Sequence, residues 1–201
     1  MTWGYEDDAG GVAFAELHGF VVVKRNRGLR LVLDGCPRPT VDLPEDIAIT
    51  TLADSPELAE GVWETASEAM PDIPYYSVPM SAGSLEEFAA RAFAGPKYIP
   101  EATFIAVRNR EVVGYAQLAW MSRAAGVADH AMLAIRRAWR GRGIAKALKA
   151  RQIMWELDNV LTELRTGNDE RNASAGAVNA NFAYTPLPDQ VGYRGPLLAG
   201  E

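Results

Sequence analysis

Between Met132 and Ala145 the chain passes from an apolar run through a basic, glycine-bearing turn into a helical repeat, and this transition narrows the possible folds most. Met132–Ile135 reads as the end of a strand. Arg140-Gly-Arg-Gly143 follows, and then Ile144, Ala147, Leu148 and Trp155 recur at helical spacing. A glycine-rich turn feeding a helix N-terminus presents unpaired backbone N–H groups and the positive end of the helix dipole. Such a turn holds phosphate or pyrophosphate, and Arg140 and Arg142 beside it add charge-assisted contacts. The alternative is a strand-to-helix turn that uses its glycines for geometry alone. A dinucleotide fingerprint would need a third glycine where Lys146 stands, and the G-x-x-x-x-G-K-S/T loop of nucleotide triphosphatases is absent.

At 201 residues the chain suits one domain, or one with an appendage. A net charge of −6 gives no reason to expect nucleic acid as a partner. Cys36 is the sole cysteine, so there is no internal disulfide and no cysteine cluster for a metal. No N-terminal signal-like apolar segment and no run of membrane-spanning length is present. A soluble cytoplasmic protein with no membrane and no metal partner is expected.

Residues 1–34 predict a short helix over Val12–Leu17 and a hairpin, Phe20–Lys24 and Leu29–Leu33, about a turn at Asn26-Arg27-Gly28. Glu6–Phe20 also runs parallel to Glu170–Tyr184: a polar opening, a small-residue helix, then an aromatic ahead of a strand. Residues 35–44 form a linker stiffened by three prolines. A full domain over 45–201 follows. Its strand at Ile47–Leu52, helix from Ser55-Pro56 to Ala69, and capping box Ser84-Leu-Glu-Glu87 come first. A hairpin about Asn109-Arg110, a strand at Val127–Ile135 and the cradle helix come next. A strand at Leu161–Thr166, a helix at Asn172–Phe182 and a last strand at Gln190–Tyr193 close the chain.

Arg140-x-x-Gly143-x-Ala145 resembles the acyl-CoA motif R/Q-x-x-G-x-G/A of the GNAT acetyltransferases, and the order β-α-α-β-β-β-α-β-α-β matches theirs. Thr166-Gly-Asn-Asp-Glu-Arg-Asn-Ala173, followed by Val178-Asn179, Ala183-Tyr184 and Arg194-Gly-Pro-Leu197, is similar to the later run of many bacterial members. The resemblance implies an α/β fold with a mixed, mostly antiparallel sheet flanked by helices. It makes residues 1–34 look like the last third of a second such domain. It implies acetyl-CoA as acyl donor and a small-molecule primary amine as acceptor. Leu133 and Ile135 would then hold the pantetheine arm, and the amides of Gly141, Arg142, Gly143 and Ala145 the pyrophosphate beside Arg140. Asn172 would bond the arm. Asn168 would do likewise or act as a cap or turn residue. The loop after the first helix, with Asp72, Tyr75 and Tyr76, would wall the acceptor pocket.

A protonated amine must lose a proton before it attacks a thioester. Asp129 and His130, adjacent on the strand that leads to the cradle, are the candidate bases, and alternation lets only one face the cleft. His130 can equally be a structural histidine. Many family members place a tyrosine seven residues beyond the motif asparagine, as acid for the thiolate; here that position is Asn179, which carries no titratable proton. Two functions therefore stand: an N-acetyltransferase, or a catalytically degenerate CoA-binding or interaction module. The expected open strand edge of residues 1–34 predicts a homodimer through that segment.

Overall fold

A computed structural model describes residues 1–74 and 80–196. Fourteen helices and strands define the chain order among these residues: β1 (Thr2–Tyr5), α1 (Ala9–Leu17), β2 (Val21–Val32), β3 (Ala48–Thr51), α2 (Ala59–Ala69), α3 (Leu85–Phe93), β4 (Tyr98–Arg108), β5 (Glu111–Ser122), β6 (Val127–Ile135), α4 (Ile144–Asp158), β7 (Glu163–Asp169), α5 (Ala173–Asn179), β8 (Thr185–Pro186) and β9 (Gln190–Arg194). The strands form one sheet in the order β1-β9-β2-β7-β6-β5-β4-β3, and β8 pairs with β2. Only β6 and β7 run parallel; the other pairs are antiparallel.

The pleat sorts side chains into two cores. Ala116, Leu118, Ala128 and Leu164 meet Ile144, Leu148 and Ile153 of α4 on one face. Tyr115, Ile105 and Ala134 meet Val62, Ala66 and Phe88 of α2 and α3 on the other. The β4–β5 turn has positive φ at both Asn109 (47°) and Arg110 (72°), the backbone a two-residue hairpin requires. Ser84 and Glu87 form the expected capping box at the start of α3.

The N-terminal segment departs from expectation. There is no hairpin at Asn26-Arg27-Gly28; β2 runs straight through it as one strand. Asn26–Val32 pairs with Glu163–Asp169 of β7, and Val21–Asn26 pairs with β9 on the opposite edge. Gly28 is there for close approach, not for turning. A Cβ on it would sit 3.2 Å from Leu187 Cβ and 3.3 Å from the Pro188 carbonyl oxygen. Residues 1–34 are thus part of the domain's own sheet. Leu31 and Leu33 are buried in the α4-side core. The strand edge that called for a second copy is filled within the chain, which removes that reason for a homodimer; β1 is left as a short edge strand.

The internal resemblance has a structural counterpart. Asp8 accepts from the Gly11 amide at the start of α1 (3.0 Å), and Asn172, at the matching position, accepts from the Ala175 amide at the start of α5 (3.2 Å). Residues 35–44 follow α4 from end to end: Arg38 pairs with Asp158 at its C-terminus, and the Asp42 carbonyl lies beside Gly143 at its N-terminus. Among the described residues no helix is long and apolar enough to cross a membrane, and no cluster of His, Cys, Asp and Glu has metal-holding geometry.

Candidate active site

β6 and β7 pair only from Val127/Glu163 to Asp129/Arg165. Above that row they part, β6 continuing along β5 and β7 along β2. A bulge at Ala131, where the register with β5 shifts between His130 and Met132, sits at the parting. The main chain of Leu133 and Ile135 therefore borders an open cleft on its β7 side, while both side chains pack toward α4.

The cradle closes the top of this cleft. After a single 3-10 turn at Arg137–Trp139, Gly141 and Gly143 adopt left-handed φ values of 74° and 80°. Gly143 begins α4 with no side-chain cap, and the first bond into the helix is the Ala147 amide to the Gly143 carbonyl. The amides of Gly141, Arg142, Gly143, Ile144 and Ala145 have no acceptor among the described residues. A Cβ at Gly141 would meet nothing within 4 Å. Unpaired amides, open approach, a helix dipole and two nearby guanidiniums fit a diphosphate.

The arginines are pre-placed. Arg140 donates through Nε to the Ile135 carbonyl (3.1 Å) and pairs through Nη2 with Asp72 (2.8 Å). Arg137 grips Asp72 with two bonds of 2.9 and 2.8 Å. The guanidiniums of Arg137 and then Arg140 hold the Asp72 carboxyl down to about 2. Asp72 is thus a strut that ties the cradle to the turn after α2. Tyr75 and Tyr76 lie outside the described residues. Arg142 donates to the Ala138 carbonyl (3.2 Å) and stacks 4.7 Å from the Trp139 ring centre.

Of the asparagines, Asn172 uses its side-chain oxygen on the Ala175 amide and the Ser174 hydroxyl (2.9 Å), so it caps α5. Asn168 accepts from Asn179 Nδ2 (3.1 Å) and donates to the Asp169 carbonyl (3.1 Å). Asn179, 5% exposed, thus locks β7 to α5.

His130 faces α4 and is committed at both nitrogens: Nδ1 to Gln152 Oε1 (2.7 Å) and Nε2 to the Tyr184 hydroxyl (2.5 Å). This pairing gives Nδ1 the proton and leaves Nε2 as the acceptor from Tyr184. Burial, and then the Lys149 ammonium, hold its basicity well below the ordinary value. With both ring nitrogens engaged within the fold, this geometry favours the structural alternative for His130 over the role of base. Asp129 takes the other face, with Met132 and Ala134. Burial pushes its carboxyl up to about 6, against the pull of Lys149, Arg165 and Lys97. It can hold or release a proton near neutrality.

Sequence reasoning missed a polar stripe on the buried side of α4. Lys149, Gln152 and Glu156 are 3%, 0% and 0% exposed. Their i, i+3, i+7 spacing beside His130's strand was the available signal. Burial pulls Lys149 down to about 7 and pushes Glu156 up to about 9, so both are neutral between those values. Neither Glu156 carboxyl oxygen has a partner among the described residues.

This arrangement has counterparts among known proteins. The sequence profile of the acetyltransferase (GNAT) family matches residues 63–177. A GCN5-related N-acetyltransferase from Sphaerobacter thermophilus superposes with a TM-score of 0.73 at 21% identity, covering 95% of this chain and 57% of its own. A tandem GNAT protein of clavulanic acid biosynthesis gives 0.67 at 20% identity, covering 96% and 61%. A GCN5-related N-acetyltransferase from Kribbella flavida gives 0.61 at 18%, covering 96% and 67%. The chain spans about three-fifths of the length of the first two, and at such identities the likeness is one of fold. No curated protein is significantly similar in sequence. The parted β6–β7 pair, the uncapped glycine turn and the profile match over most of the domain agree, and the chain belongs to the GNAT acetyltransferase family.

Proposed function

We propose that the protein transfers an acetyl group from acetyl-CoA to the primary amine of a small molecule in the cytoplasm. The uncapped N-terminus of α4, with its left-handed Gly141 and Gly143 at the mouth of the β6–β7 cleft, carries this reading. Acetyl-CoA, when bound, supplies an acyl thioester. The amides of Gly141, Arg142, Gly143 and Ala145 hold its diphosphate, with Arg140 positioned by Asp72. β6 main chain at Leu133 and Ile135 offers backbone groups to the arm, and the bonded pair Asn168–Asn179 keeps β7 in place opposite. Asp129 Oδ takes the proton of the incoming ammonium, so that a neutral amine attacks. Attack forms the amide C–N bond and breaks the C–S bond. Asn179 has no titratable proton, so the second proton lost by the nitrogen reaches the departing thiolate through water.

That last point favours the second reading, a CoA-binding module without turnover. Calorimetric titration of CoA, together with CoA release from acetyl-CoA across an amine panel, separates the two. Binding with release supports the enzyme; binding without release supports the module. Gly143→Ala strains φ 80° by about 1–2 kcal/mol and disturbs the turn that presents the free amides, so CoA affinity falls. Unchanged affinity in the folded variant removes the cradle assignment. A homodimer through residues 1–34 could use exposed Phe14 and Leu17 of α1 or the edge strand β1, and light scattering of the full chain tests it.

A further inference from the structure

The floor of the cleft continues past β7 onto β2, and its charge there plays no part in holding a diphosphate. Paired residues on neighbouring strands point to the same face. Arg165 is the partner of Asp129 across β6 and β7, and Arg30 is the partner of Arg165 across β7 and β2. The three side chains stand in one row on the α2 face, with Ala119 of β5 and Tyr98 of β4 continuing it. At a strand spacing of about 4.8 Å, Arg165 is one step from Asp129 and Arg30 is two.

This part of the floor is reachable. α2 packs on β5 and β6 and α3 on β4, and among the described residues no helix packs as extensively on β7 or β2 on that face. The opposite face is filled by α4 and the half-buried His130–Tyr184 pair, which leaves the α2 side as the approach to Asp129. Ala119 keeps the row low beside Asp129. Leu187 and Pro188, pressed onto Gly28, bound it on the β2 side.

Arg165 gives its Nε to Glu163 and keeps its terminal nitrogens. Arg30 is exposed and its guanidinium has no hydrogen bond or ion pair among the described residues. A simple alkylammonium can use Asp129 but gains nothing from Arg165 and Arg30, which repel it. A carboxylate is held by it, in the paired geometry that guanidinium favours. Resting on the acetyl-transfer reading, we infer that the acceptor is an amino acid-like amine, whose carboxylate Arg30 and Arg165 hold while its nitrogen meets Asp129. Residues 21–32 then do more than complete the sheet: they supply acceptor specificity.

Matched acceptors test this. Phenylalanine and 2-phenylethylamine differ by one carboxylate, as do ornithine and putrescine. The full chain should prefer each amino acid by roughly tenfold or more in kcat/KM, the scale of a charge-assisted bond. Arg30→Gln should abolish that preference, and Arg30→Glu should reverse it toward putrescine. Both substitutions leave the backbone pairing of β2 intact. Calorimetric titration of N-acetylphenylalanine and N-acetyl-2-phenylethylamine gives a readout without turnover, and only the anion should bind tightly and lose affinity in Arg30→Gln. If neither amine is acetylated, the acetyl-transfer reading fails while the titration still decides the anion site. Equal binding of both products, binding of neither, or a preference that survives Arg30→Gln overturns the inference.

Discussion

The Nε2 atom of His130 lies 2.5 Å from the Tyr184 hydroxyl oxygen, so the histidine nearest the cleft is spent on holding the core together. Tyr184→Phe leaves that nitrogen without a donor and should cost about 1–3 kcal/mol of stability, measured by denaturant unfolding. His130→Ala should likewise lower stability while leaving the midpoint of the pH–rate profile where it was. A shift of that midpoint would restore His130 to the chemistry.

Asp129 takes a proton only when ionised. Its carboxyl titrates at about 6, so the rate should rise with pH through that value and level off above it. Asp129→Asn should lower kcat by about a hundredfold or more and erase this limb, with little change in KM for acetyl-CoA. Steady-state rates between pH 5 and 8 decide it; an intact acid limb in the variant would move the base elsewhere.

Glu156 makes stability depend on pH. Its carboxyl titrates near 4.5 ordinarily and at about 9 in the fold, so folding retains a proton and the stabilisation is lost as pH rises through that window. Lys149, ordinarily near 10.5 and about 7 here, acts in the opposite sense, gaining stability as pH rises from 7. The two slopes oppose each other between 7 and 9, and Glu156 acts without Lys149 below 7. Below 7 the raised Asp129 carboxyl adds to the Glu156 slope and the lowered His130 imidazole opposes it, so the expectation is comparative: Glu156→Gln should gain stability at pH 7 relative to pH 5 when set against the parent. Melting temperatures across the range report it, and an unaltered slope would contradict the burial of a protonated carboxyl.

β2 is structural as well as charged. Leu31, 2% exposed, belongs to the α4-side core, and Leu31→Ala should cost about 2–5 kcal/mol. Deleting residues 1–34 removes the strand between β7 and β9 and bares two edges of the sheet. The truncated chain should be insoluble or unfolded by circular dichroism. A folded, soluble truncation would show that β2 is dispensable.

Local patterns in the sequence determined a good deal here. The strand Val127–Ile135, the turn Arg140–Gly143 and the helix after it were legible, because alternation, glycine and helical spacing act within a few residues. The hairpin at Asn109-Arg110 and the box at Ser84–Glu87 were legible for the same reason. What the sequence could not decide was partnership at a distance. Asn26-Arg27-Gly28 carries turn residues, yet β7 and β9 on either side of β2 satisfy its backbone, and long-range pairing overrides local preference. Asp129 and His130 are neighbours in the chain. Only the packing of α4 against one face of β6 sent His130 into the core and left Asp129 to the cleft. Asp72 reads as an exposed loop carboxylate until the fold brings Arg137 and Arg140 to it, 65 and 68 residues along the chain. Charge and hydrogen-bonding capacity are written in each residue, but the partner that uses them is chosen by the tertiary fold.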